Sequence, residues 1–91
     1  MTERPLKPEE IAAIMAAYDA CGGDIHAHQP VERIRRKFRK ELRQYAKKCL
    51  EKAARHPERY IQKHTNKNVT YSITLAGIRL LEDMNIIPRK R

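Results

Sequence analysis

The sequence is poor in the residues from which disulfide scaffolds and aromatic stacking surfaces are built. It contains no tryptophan, one phenylalanine and four tyrosines among its 91 residues. Its two cysteines, Cys21 and Cys49, are far apart and form no CxxC pair. Free thiols and a cytoplasmic location are therefore expected, although the sequence leaves a disulfide between the two cysteines open.

Long hydrophobic runs and catalytic motifs are also missing. The longest apolar run, from Ile11 to Tyr18, is far shorter than the ~20 residues that cross a bilayer. No secretory signal pattern opens the chain. The sequence has no glycine-rich phosphate loop, no HExxH and no GxSxG motif. We therefore expect neither a membrane partner nor an enzyme, and the sequence indicates no cofactor and no small-molecule substrate.

Basic side chains are abundant and unevenly distributed along the chain. Lys and Arg number 20 against 11 Asp and Glu, which gives a net charge of +9. Residues 31–55 carry a net charge of +8, whereas residues 1–30 carry −3. A concentrated positive charge accelerates encounter with polyanions and makes binding salt-dependent, so a nucleic acid is the expected partner.

The hydrophobic spacing near the N-terminus predicts a first helix over residues 8–21. Its apolar stripe follows the i, i+3, i+4, i+7 pattern: Ile11, Ile14, Met15 and Tyr18. Pro8 suits the first turn of a helix, and the Gly22-Gly23 pair is typical of a helix end.

A second helical period covers residues 31–53. Its apolar positions, three or four residues apart, are Val31, Ile34, Phe38, Leu42, Tyr45, Cys49 and Ala53. His56-Pro57 ends the period, because a residue before proline is disfavoured in the α region. The pattern is compatible with one long helix over 31–56 or with two helices that meet near Arg39-Lys40.

The last third of the chain predicts a β-hairpin followed by a helix. Residues 69–73 alternate apolar and polar side chains, and Asn66 and Asn68 suit a tight turn before them. Thr74 can cap a final helix with the predicted core positions Leu75, Ile78, Leu81 and Met84. The predicted fold is therefore α+β and mainly helical: one domain over residues 8–87, with an N-terminal tail at 1–7 and a basic tail at 88–91.

The junction between the hairpin and the last helix resembles the end of a winged-helix domain of transcription regulators. The matching order is aromatic, polar, apolar, Thr, then a Gly and a Leu-Leu pair: Tyr71, Ser72, Ile73, Thr74, Gly77, Leu80 and Leu81. The similarity extends over roughly residues 42–84. Two features depart from the pattern, namely the missing turn signal near 38–41 and five extra residues at 55–59.

The resemblance implies a three-helix core with a C-terminal hairpin, in which one helix enters the DNA major groove and the hairpin contacts the flanking backbone. The residues expected to contact double-stranded DNA are Arg36, Arg39, Lys40, Arg43, Gln44, Lys47, Lys48, Lys63, Asn66 and Lys67. Arg43 could read guanine and Gln44 adenine, whereas Lys47 and Lys48 suit phosphates. A small transcriptional regulator acting as a homodimer is the expected function.

Three alternatives remain open at the level of sequence. Cys21, His26 and His28 form a C-x₄-H-x-H cluster, which would need a further ligand to hold a metal ion. RNA binding would require exposed rings, for which Tyr60 and Tyr71 on the hairpin are the candidates. A continuous helix over 31–56 would instead favour a dimeric adaptor or an antitoxin-like module.

Overall fold

The computed structural model describes residues 6–88, and within this range the chain forms four α-helices, one 3₁₀ helix and three short strands. Their order is α1 (Pro8–Ala20), β1 (Gln29–Pro30), α2 (Val31–Arg35), the 3₁₀ helix (Lys40–Tyr45), α3 (Ala46–Arg55), β2 (Ile61–His64), β3 (Thr70–Ile73) and α4 (Leu75–Asp83). This is the α+β class that the sequence predicts. Residues 1–5 and 89–91, in the two predicted tails, lie outside the described residues.

Helix α1 begins and ends as its sequence predicts, to within one residue. The Glu10 carboxylate accepts a hydrogen bond from the backbone N–H of Lys7 at 3.0 Å and is fully buried at the positive end of the helix. At the other end, Gly22 and Gly23 adopt φ values of 64° and 74°, and the Gly23 N–H donates to the Tyr18 carbonyl at 2.9 Å. This left-handed pair turns the chain away from the helix axis.

The segment with the second helical period, residues 31–55, folds as separate helices and not as one continuous helix. After α2, the backbone N–H groups of Lys37 and Phe38 donate to carbonyls three residues earlier, at 2.9 and 3.1 Å. The 3₁₀ helix follows and leads directly into α3. The break keeps Ile34, Phe38 and Cys49 buried, and α2 and α3 can then both pack against α1. The spacing of three or four residues between apolar positions is compatible with both arrangements, so it could not show that the helix is interrupted.

The three strands form one antiparallel sheet in the order β1-β3-β2. The hairpin pairs Ile61 with Ile73 and His64 with Thr70, and the two-residue strand β1 pairs Gln29 with Tyr71 on the other side of β3. The hairpin is confirmed, whereas β1 was not predicted, because two residues without apolar alternation carry no strand signal. Strand β3 is thus central and β1 is an edge, where proline is tolerated.

The core lies where α1, α2 and α3 meet the sheet. Its largest fully buried apolar side chains are Ile14, Ile34, Leu50, Ile61, Tyr71, Ile73 and Leu81. Four predicted core positions are wrong: Met15, Tyr45, Leu75 and Met84 are at least 42% exposed. On α1 the buried positions beside Ile14 include three small residues, Ala13, Ala16 and Ala17, whose size permits close approach to α3. Tyr45 ends the 3₁₀ helix, whose turn differs from that of an α-helix.

Helix α4 begins in close contact with the start of the hairpin. Thr74 Oγ1 accepts the Gly77 N–H at 3.1 Å, as the predicted cap requires, and its hydroxyl lies 3.0 Å from the Tyr60 carbonyl oxygen. A Cβ atom at Gly77 would overlap this same carbonyl oxygen and the Ile73 side chain. Glycine at this position is therefore required by the approach of one backbone to another.

We expect Gly77→Ala to lower the free energy of unfolding by about 3 kcal/mol, because the backbone of Tyr60 has to move. The matched control is Gly22→Ala, where φ is +64° but no atom lies within 4 Å of the added Cβ. That control should cost only about 1–2 kcal/mol. Urea denaturation of both variants measures the difference, and equal losses would contradict the close contact.

Candidate nucleic-acid interface

The basic face of α3 and the hairpin lie on the same side of the molecule. Lys47 of α3 and Lys63 of β2 border one groove of about 580 Å³, together with Asn68 and Val69 from the hairpin turn and the first residues of α2. This groove joins the helix to the hairpin. The residues of the α3–hairpin surface, as we call it, are Gln44, Lys47, Lys48, Lys52, Arg55, Lys63, Asn66, Lys67 and Asn68.

The burial pattern of α3 explains why its basic side chains face outward. Ala46, Cys49, Leu50 and Ala53 are buried against the core, at the spacing of one helical face. The opposite face borders a shallow groove lined by Gln44, Lys47, Lys48, Glu51, Lys52 and Arg55. Five of these six side chains are basic or amide groups that can donate hydrogen bonds to phosphates or base edges.

Glu51 connects α3 to the hairpin. Its carboxylate accepts a hydrogen bond from the Tyr71 hydroxyl at 2.5 Å and lies 2.7 Å from the Lys63 ammonium. Arg55, one turn further along α3, lies 3.9 Å away. The Glu51 side chain is 18% exposed, so these contacts form away from most of the solvent.

The electrostatics of this cluster favour a charged Glu51 and a neutral Tyr71. Hydrogen bonds from Lys63 and Tyr71 hold the pKa of the Glu51 carboxyl below its usual value, against the opposing effect of burial. Burial, followed by the hydrogen bond to Glu51, raises the pKa of Tyr71 far above its usual value. The cluster therefore consists of the Glu51 carboxylate of α3, the Lys63 ammonium of β2 and the Tyr71 hydroxyl of β3.

The structure brings some of the predicted site residues together and separates others. All ten are exposed. Gln44, Lys47 and Lys48 share the α3 groove, Lys63 lies across the adjoining groove, and Asn66 and Lys67 belong to the hairpin turn. Arg36 borders a cleft beside Asp19 of α1, and Arg39 borders an apolar groove along α1, so neither lines the grooves of the α3–hairpin surface.

Two predicted base-reading residues precede α3 instead of lying on it. Arg43 and Gln44 belong to the 3₁₀ helix, as does Lys40 at its first position. Arg43 Nε donates to the Phe38 carbonyl at 3.3 Å, which ties part of the guanidinium to the turn after α2. Both sequence alternatives, one helix over 31–56 or two that meet near Arg39-Lys40, placed these residues on the α-helix that ends near Arg55, and this is wrong because α3 begins only at Ala46.

Three basic residues that line these grooves, Lys52, Arg55 and His28, are not among the ten predicted DNA contacts. Lys52 and Arg55 line the same groove as Lys48, and their spacing of four and seven residues from it is a signal that could have identified them. His28 lies beside the hairpin residues Lys67 and Thr70. No sequence signal indicates this placement, because it depends on the unpredicted pairing of β1 with β3.

No protein-family model, curated protein or solved structure matches this chain. Within residues 6–88, no three His, Cys, Asp or Glu side chains are grouped so as to hold a metal ion. None of the helices in this range has the length and apolar character that crossing a bilayer requires.

We expect Glu51→Gln to lower the free energy of unfolding at pH 7 by about 1.5–3 kcal/mol, because two hydrogen bonds lose their charged acceptor. The folded-state pKa of Glu51 is depressed, so its contribution is present above the ordinary carboxyl pKa and is lost as the pH falls through the folded value. The gap between wild type and variant should therefore narrow as the pH falls from about 5 toward 3.

The control for this prediction is Glu41→Gln, at an exposed carboxylate on the 3₁₀ helix. It should change stability by less than about 0.5 kcal/mol at either pH. Urea denaturation at several pH values measures both variants. A Glu51 variant that behaves like the Glu41 variant would show that the cluster does not hold α3 to the hairpin.

Proposed function

We propose that this protein binds double-stranded DNA through the α3–hairpin surface, in the manner of a winged-helix domain. The observation that carries the proposal is the placement of the basic face of α3 beside the hairpin, with Lys47 and Lys63 bordering one groove. A role as a small transcriptional regulator follows from the family resemblance. The concentrated charge of residues 31–55 supplies the long-range attraction to the duplex.

The order of the elements supports this proposal. Three helices, α1, α2 and α3, precede the hairpin β2–β3, and this is the arrangement that the resemblance implies. Strand β1 pairs with Thr70 and Tyr71 of β3 and so connects the turn end of the hairpin to the segment before α2. Thr74 caps the start of α4, and this cap belongs to the junction between hairpin and helix on which the resemblance is based.

The dimensions of the surface suit a duplex. An α-helix with its side chains is about 10–12 Å across, which fits the major groove of about 12 Å, and the ten residues of α3 would extend for about 15 Å within it. In this proposal Lys47 and Lys48, in the first turn of α3, contact phosphates, and Gln44 just before them reaches a base edge. Asn66 and Lys67 at the hairpin turn contact the backbone beside the groove.

The structure gives less support to the two alternatives. Tyr71 is fully buried and Tyr60 is half-buried against the His56 ring at 5.0 Å, so neither offers the open face that stacks on an unpaired base. The adaptor hypothesis required one continuous helix over 31–56, and this segment contains a turn and a 3₁₀ helix. Duplex DNA is therefore the ligand that the geometry favours.

We expect Lys47→Ala and Lys48→Ala each to weaken binding to duplex DNA by about fivefold near 100 mM salt, because each removes a phosphate contact. Each should also reduce the slope of log affinity against log salt by about one. Fluorescence anisotropy with a labelled duplex measures both quantities.

The matched control is Arg79→Ala, which removes one exposed positive charge from α4 without touching the α3–hairpin surface. It should leave the salt slope unchanged. If all three substitutions weaken duplex binding equally, the affinity depends on net charge alone and not on the α3–hairpin surface. If the wild-type protein does not bind duplex DNA at low salt, the proposal is wrong.

We further propose that the protein binds DNA as a homodimer, since one small domain buries only about 600–1,000 Å² on DNA. A groove of about 490 Å³ between α1 and residues 37–42 presents Ile11, Met15 and Leu42, with Glu9 on the α1 side and Lys37 and Arg39 on the other. A two-fold axis would place the acidic side of one copy against the basic side of the second.

Met15→Glu should therefore shift the protein toward monomer, because a charge would be buried between the copies. Ile25→Glu is the control, since both side chains are 42% exposed and Ile25 lies in the loop before β1, away from the groove. Sedimentation equilibrium measures the outcome. A wild-type protein that stays monomeric at high concentration, with and without DNA, would contradict the dimer.

A further inference from the structure

Two histidines lie side by side at the turn end of the hairpin. The rings of His28, in the loop before β1, and His64, at the end of β2, have centroids 5.1 Å apart and are tilted by 37°. His28 Nδ1 lies 2.9 Å from Thr70 Oγ1, and His64 Nε2 lies 2.9 Å from Ser72 Oγ. One ring nitrogen of each imidazole thus contacts a hydroxyl group, and the other ring nitrogen can form a hydrogen bond with a ligand.

The histidines border a pocket with the character of an anion site. Its volume is about 290 Å³, and its lining consists of His28, His64, Asn66, Lys67, Asn68 and Thr70. Of these described residues none is acidic, and each carries a side chain that can donate a hydrogen bond. The pocket joins the loop before β1 to the turn of the hairpin.

The acidic groups near the pocket lie outside its lining. Glu51 of α3 contacts Lys63, which pairs with Tyr71 across the hairpin. Because side chains alternate along a strand, Lys63 and Glu51 lie on the opposite face of the sheet from His64. Asp24, earlier in the loop, accepts the backbone N–H of His26 at 2.8 Å. Glu32 of α2 borders the adjoining groove. Lys67 is the fixed positive charge within the pocket.

We propose that this pocket binds a phosphate group, held by Lys67, Thr70 and the two imidazoles, and that His28 and His64 make the binding stronger as the pH falls. The two ring centroids are 5.1 Å apart, so a phosphate between or beside the rings can accept a hydrogen bond from each of them. A protonated imidazole can donate from both ring nitrogens, one to the hydroxyl and one to the phosphate.

This inference rests on the proposed function for the source of the phosphate. The pocket shares Asn68 and Thr70 with the groove between α3 and the hairpin, so a duplex in that groove would carry its backbone past the pocket. The ligand would then be a phosphodiester of DNA that flanks the contacts of α3. Free inorganic phosphate has the same chemistry and provides an independent probe.

The first experiment measures duplex affinity by fluorescence anisotropy between pH 8.0 and 5.5 at constant ionic strength. Wild-type affinity should increase about tenfold or more over this range, in which imidazoles become protonated. The double variant His28→Gln/His64→Gln should lose most of this increase. His26→Gln, in the same loop but outside the pocket lining, should retain it.

Lys67→Ala provides a second variant that preserves both histidines. It should weaken binding at every pH and leave the pH dependence intact, because it removes one basic side chain from the pocket and keeps both imidazoles. Circular dichroism at each pH verifies that the variants are folded. A pH dependence that survives in a folded double variant would overturn the inference while leaving DNA binding itself in place.

The second experiment titrates inorganic phosphate into the full chain and follows the imidazole NMR signals at pH 6. Selective shifts of His28 and His64, with His26 unaffected, would support the pocket even if no duplex were bound, and in that case the proposed function alone would fail. Histidine-dependent pH effects with DNA but no response to free phosphate would assign the ligand to the nucleic-acid backbone. No selective response in either experiment would refute the pocket.

Discussion

The contact of Glu51 with Lys63 and Tyr71 sets the geometry on which the interface depends. One carboxylate on α3 accepts the Tyr71 hydroxyl and pairs with the Lys63 ammonium, and Tyr71 is itself fully buried at the centre of the sheet. The helix and the hairpin are therefore held to each other by a charged, largely sheltered cluster as well as by apolar packing. The contact adds to the packing of the buried Leu50 and Ala53 against Ile61, which also holds α3 beside the hairpin.

The positive charge of the protein serves two different roles. Lys63 and Arg55 belong in part to the structure, because they neutralise Glu51, whereas Lys47 and Lys48 lie exposed on the outer face of α3. The acidic N-terminal third is likewise structural in part, since the buried Glu10 carboxylate holds the first turn of α1. Local contacts, and not the net charge alone, therefore decide which cations could reach the proposed polyanionic partner.

Local signals predicted the elements, and tertiary contacts decided what the sequence left open. The Gly22-Gly23 stop, the Thr74 cap and the alternation in 69–73 are local chemistry, and all three appear in the structure. The break after α2, the 3₁₀ position of Arg43 and Gln44, and the strand β1 arise from packing across the chain. Likewise α1 buries its alanines rather than Met15, because the closeness of its neighbours favours small side chains. The position of His28 beside His64 follows from these long-range pairings.

Chemical-shift mapping of the isotope-labelled protein with a DNA duplex tests the central claim most directly. The account predicts that the perturbed backbone amides concentrate in residues 44–55 and in the hairpin from 61 to 70, and that the signals of α4 stay in place. Perturbations centred on α4 or spread evenly over every basic residue would contradict it.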